Sequence, residues 1–199
     1  MAIRNEQELT VAAHEASKLI QEIHDYCSAT NRTIAEVPQA KIRFPRGFIR
    51  TAAYQRSRFP FLNDPALKSN IAYTLILSDT ILWLSVRTDV GGTARDMLNK
   101  LFIFLVGSVI ESVTKVYLRG ICGKNFDARL AFLVDNGVIE EHLKEEICWV
   151  WATRNRMHLF QLEGPEYVNE YNEENHFRTI RAFRGLLAAL EARGPFDDR

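Results

Sequence analysis

Apolar residues along this chain recur at steps of three and four almost from end to end, and no strand-length run alternates between apolar and polar. The spacing predicts helices over 6–29, 65–87, 93–119, 126–136, 139–160 and 175–192, with a short helix around 47–57. In the first, Leu9, Ala12, Ala13, Ala16, Leu19, Ile20, Ile23 and Tyr26 mark the face expected to pack. The second opens on Asp64 as N-cap with Pro65 in the first position. It places Leu67, Ile71, Leu75, Leu82 and Val86 on one side and is apolar nearly all round, so it is expected at the centre. The third carries a main stripe of Leu98, Phe102, Leu105, Val109, Val113 and Val116 beside a mixed face of Phe104, Ser108, Glu111, Lys115 and Leu118. The last turns Phe177, Ile180, Phe183, Leu187 and Leu190 inward.

These elements predict an all-α fold, an antiparallel helical bundle of about five long helices. Residues 1–64 form an N-terminal helix and an irregular basic arm, 65–192 the bundle, and 193–199 a loose tail, all in one domain.

The helix over 139–160 is where the pattern points to chemistry. Ile139, Leu143, Ile147 and Val150 share one face, and the next two steps of four land on Arg154 and His158. A guanidinium on a packing face needs an anion or a carbonyl, because burying it unpaired is costly. Glu111, the first carboxylate after a run of apolar and small residues in the third helix, is the candidate partner. Trp149 and Trp151 give the helix apolar surface on more than one side, which predicts a homodimer.

Charge is balanced in total and segregated in place. The chain has 25 basic and 25 acidic residues, yet none of the acidic ones falls between Glu36 and Asp64. Within that interval Lys41, Arg43, Arg46, Arg50, Arg56 and Arg58 lie among Phe44, Phe48, Tyr54, Phe59 and Phe61. Arginines among aromatics can neutralise phosphates and stack on unpaired bases, which single-stranded RNA recognition requires. The same residues can instead wrap the domain, the aromatics filling grooves and the arginines pairing with acidic helix faces.

Other chemistries find little support. Cys27, Cys122 and Cys148 lack the close spacings of zinc or dithiol sites, and His14 and His24 lack metal-ligand spacing, so neither a metal nor a cofactor is expected. No glycine-rich phosphate loop is present. The first residues lack a signal-peptide pattern, and Asp79 and Glu111 interrupt the two most apolar stretches. The expectation is a cytoplasmic protein with reduced thiols and no membrane contact.

An apolar helix ending in Glu111 and Ser112, the segment Leu130 to Ile139, and a helix closing on Arg154, Asn155 and His158 together resemble the HEPN superfamily of prokaryotic helical domains. The resemblance covers roughly residues 66–190. It implies a metal-independent endoribonuclease of toxin, defence or RNA-processing systems, active as a dimer with two Arg and His pairs in one cleft. Alternatively it implies a non-catalytic module that binds a nucleotide, a nucleic acid or a cognate protein partner. The family pattern has four to six residues between arginine and histidine, and here there are three, Asn155, Arg156 and Met157. Attack of a ribose 2′-OH on the adjacent phosphate needs a proton-transfer group near neutrality and a fixed cation. His158 supplies the first, Arg154 the second, and Asn155 orients the phosphate or the imidazole.

Overall fold

The computed structural model describes residues 2–30, 38–123, 125–157 and 171–196. Among them, regular structure consists of α-helices and one 3-10 turn, with no strand. The chain divides into two compact units, 1–46 and 47–199, so the division falls inside the basic arm rather than at its end.

The first unit holds α1 (Glu6–Ala29) and the 3-10 turn Pro38–Ala40. The Asn5 side chain caps α1 by accepting from the Glu8 backbone N–H at 2.8 Å. Cys27 is the one buried residue of the helix, while Leu9, Leu19, Ile20 and Tyr26 of the expected packing face are exposed. Helical periodicity shows that a face is apolar and leaves open what covers it.

The second unit begins with an irregular stretch and α2 (Ala52–Ser57), capped by Thr51 Oγ1. It continues through α3 (Pro65–Arg87), α4 (Gly92–Tyr117), α5 (Phe126–Asp135), α6 (Glu141–Asn155) and α7 (Glu173–Arg193). As expected, Asp64 caps α3, its carboxylate accepting from the Leu67 N–H at 2.9 Å with Pro65 in the first turn.

The central helix is α4 rather than α3, since α4 packs against α3, α5, α6 and α7 in turn. Its buried face runs through Phe102, Ile103, Val106, Ile110, Val113 and Tyr117, leaving Leu98, Leu105 and Val116 of the expected stripe at the edge. Helix α3 exposes Tyr73, Leu77 and Val86 and buries Ser78, Asp79 and Ser85 instead. The two serine hydroxyls return to carbonyls one turn back, of Thr74 and Ile81, so their burial leaves no donor unpaired. Both α3 and α4 are long and apolar enough to cross a bilayer, and part of each is buried inside the protein.

Helix α6 keeps its predicted face, with Ile147 and Val150 buried and Leu143 packed against Gly185 of α7, and it ends at Asn155. On α7 the expected inward Phe177 is exposed, and its neighbour His176 is buried in its stead. The Tyr117 hydroxyl donates to the Gly194 carbonyl at 2.6 Å, tying the end of α7 to the end of α4. Burial there pushes the Tyr117 phenol up.

Candidate functional site

The α4 and α6 contact brings together three of the four residues singled out by sequence, Glu111, Arg154 and Asn155. Gly107 of α4 lets α6 approach until a Cβ at 107 would stand 2.9 Å from Arg154 Cβ. From there the Arg154 side chain runs along α4, its guanidinium carbon 5.6 Å from the centre of the Phe104 ring. It ends at Glu111, with Nη1 3.2 Å from Oε2. The same Nη1 donates to Asn155 Oδ1 at 2.8 Å. Arg154 Nε is buried and has no hydrogen-bond partner among the described residues.

Glu111 and Arg154 therefore meet as expected, at a half-exposed position where solvent weakens the attraction. Leu101 and Phe104, both exposed, give α4 apolar surface on this side of the helix. Arg154 and Asn155 sit in the last turn of α6. His158, the third expected member, lies outside the described residues.

Both tryptophans behind the dimer expectation have partners within the chain. Trp151 stacks on Phe126 of α5, ring centres 4.7 Å apart and planes 8° from parallel. Trp149 lies under the Arg178 guanidinium, 4.2 Å from carbon to ring centre. Arg178 also grips Glu146 through two hydrogen bonds, Nε to Oε2 at 2.8 Å and Nη2 to Oε1 at 2.7 Å. That fork holds the Glu146 carboxyl below its ordinary value. Part of the apolar surface expected on α6 is thus covered by α5 and α7, and both tryptophans stay half-buried.

The basic arm separates into three groups. Lys41, Arg43 and Arg46 are exposed in the first unit. Arg56 is half-buried on α2. Arg50 and Arg58 are built into the second unit around Asp79, whose side chain is only 6% exposed. Its Oδ1 is 3.1 Å from Arg50 Nη2, and its Oδ2 accepts from the Arg50 backbone N–H at 3.1 Å and Gln55 Nε2 at 3.0 Å. Arg58 Nη1 donates to Gln55 Oε1 at 3.1 Å, and the Arg58 guanidinium carbon lies 5.7 Å from the Phe183 ring centre. For Arg50 and Arg58, then, the arm wraps its domain, as the second reading of the sequence has it.

Asp79 and His176 are two of the buried polar residues that the sequence did not single out for a role. Asp79 reads as an interruption of an apolar run, a signal that a buried carboxylate needs partners. His176 is buried against Phe102, ring centres 4.3 Å apart, with Nδ1 unpartnered among the described residues. Burial lowers its pKa, Arg95 adds to the effect and Glu173 opposes it. No group of three or more His, Cys, Asp or Glu among the described residues is placed to hold a metal.

Compared with known proteins, the chain matches no family model, no curated protein and no solved structure.

Proposed function

We propose that this chain is a HEPN-type domain, an antiparallel bundle built on α3 to α7, that cleaves RNA without a metal at a cleft shared by two copies of the chain. The observation that carries the reading is the Glu111 and Arg154 pairing across α4 and α6, with Asn155 on the same guanidinium. A cation fixed by a carboxylate on one side keeps one face free for a phosphate, and a fixed cation stabilises the charge that builds as the 2′-oxygen attacks. His158 transfers the proton. Exposed Leu101 and Phe104 supply apolar surface beside Arg154 for a second copy to cover. The protein works in the cytoplasm, with α3 and α4 in its core and not in a bilayer, and needs no cofactor.

The test is cleavage of a mixed single-stranded RNA pool in EDTA by wild type and by Arg154→Ala, Asn155→Ala and His158→Ala. Loss of rate by about 100-fold or more in the first and third is expected. Their melting temperatures should stay close to wild type, since a half-exposed ion pair contributes about 1 kcal/mol or less. Cleavage that persists in His158→Ala sinks the assignment.

A second reading, a module that binds RNA, a nucleotide or a protein partner without cutting, is favoured by one detail. Arg154 Nη1 already has two acceptors, Glu111 and Asn155, and so has less to give a transition state. RNA bound by wild type and left whole, with Arg154→Ala weakening the binding, would select this reading.

A further inference from the structure

Around the Asp79 cluster lies a half-open cavity of about 60 Å³, lined by Arg50, Gln55, Arg58, Asp79, Phe183 and Arg184, with apolar residues of α3, α4 and α7 as its floor. Its charges do not cancel. Asp79 is matched by Arg50 through two contacts, one from the guanidinium and one from the backbone N–H. Arg58 and Arg184 have no carboxylate partner among the described residues, and only one Arg58 nitrogen is engaged, by Gln55. Burial lowers the Arg58 pKa, the neighbouring Arg50 and Arg184 lower it further, and Tyr54 and Asp79 offset this only in part. Among the described residues, three guanidiniums meet one carboxylate here, which leaves two positive charges, one on the half-buried Arg58 and one on the exposed Arg184 at the mouth of the pocket, an arrangement that an anion completes.

We propose that this pocket binds a phosphate monoester, with Arg58 and Arg184 clamping the dianion and Gln55 and Asp79 fixing the wall behind it. Size and charge select the ligand. At roughly 10–15 Å³ for each water-sized site, the cavity has room for about four to six heavy atoms, which suits a terminal phosphate and not a nucleoside. The surplus of two charges matches a monoester dianion, whereas a phosphodiester inside an RNA chain carries one charge. Arg58 therefore serves one enclosed phosphate instead of tracking an RNA backbone, while Arg50 holds Asp79 in the wall of the pocket. The site shares no residue with Glu111, Arg154 and Asn155, and it stands whether or not the chain cleaves RNA.

Calorimetry on the full chain tests this with inorganic phosphate, AMP and adenosine as probes. Phosphate and AMP should bind and raise the melting temperature, and adenosine should do neither. Arg184→Gln, at an exposed position where folding is safe, should weaken AMP binding by about tenfold or more, equivalent to about 1.4 kcal/mol. Arg58→Gln should weaken it at least as much, while Arg154→Ala leaves it unchanged even where RNA cleavage is lost. An oligoribonucleotide with a 5′-phosphate, set against its 5′-hydroxyl twin and against AMP, tells whether the monoester belongs to an RNA end or to a free nucleotide. Absence of binding by phosphate and AMP at low millimolar concentration, or wild-type affinity in Arg184→Gln, overturns the proposal.

Discussion

Gly107 of α4 and Arg154 of α6 lie so close that a methyl group on the first would meet Cβ of the second at 2.9 Å and its Cγ at 3.2 Å. The obstacle is the root of the arginine side chain, which cannot swing away as its tip could. The guanidinium position is thus set by how closely two helices approach, and the approach is set by a missing side chain.

Gly107→Ala is expected to destabilise the protein, although alanine favours a helix over glycine by up to about 1 kcal/mol. Overpacking of this kind costs about 1–3 kcal/mol, and here it would also shift Arg154 away from Glu111. A thermal melt should show a midpoint a few degrees lower. A midpoint above wild type would mean that α4 and α6 separate freely.

Asp79→Ala removes the acceptor for the Arg50 backbone N–H and for Gln55 Nε2, both inside the second unit. Unmatched buried donors cost about 1–3 kcal/mol each, so a loss of about 2 kcal/mol or more is expected. Urea unfolding should show a lower midpoint with an unchanged slope. Asp79→Asn keeps one acceptor oxygen and should fall between the two. If Asp79→Ala unfolds at the wild-type urea concentration, the cluster is not holding the arm.

The Arg178 fork depresses the folded-state pKa of Glu146, so the folded protein binds this proton less readily than the unfolded chain. The resulting stability is complete above the ordinary carboxylate value of about 4.3 and is lost as pH falls through the lower folded value. Arg178→Met should therefore flatten the acid limb of a stability profile recorded below about pH 5. An acid limb as steep as that of wild type would show that other carboxylates govern it.

His176 acts at a higher pH with the same sign. Its folded pKa is lowered, chiefly by burial, so below the unfolded value of about 6.5 the unfolded chain takes up the proton first. Stability should be complete above that pH and decline as pH falls toward the folded value. His176→Leu should remove this decline and cost little at pH 8, because Nδ1 has no partner to lose among the described residues. A decline that survives the substitution would place its origin in another group.

The helices themselves were legible in the chain because the apolar period is local. Asp64 followed by Pro65 marked the start of α3, and the steps of three and four from Leu143 to Arg154 gave the α6 face correctly. Even the Glu111 contact could be anticipated, since a guanidinium at the end of an apolar stripe needs a carboxylate and few stood nearby in the pattern. What spacing could not give was the partner of each face. The stripe of α1 and the apolar circumference of α3 looked equally ready to be buried, yet α4 took the centre and α1 kept its stripe exposed. Trp149 and Trp151 looked available to a second subunit until Arg178 and Phe126, from two other helices, were found against them. Arg50 and Asp79 are 29 residues apart, and no local rule connects them. Periodicity records which side of a helix avoids water. Only the packed chain decides which surface removes that water, and so whether a given arginine holds the fold together or faces a ligand.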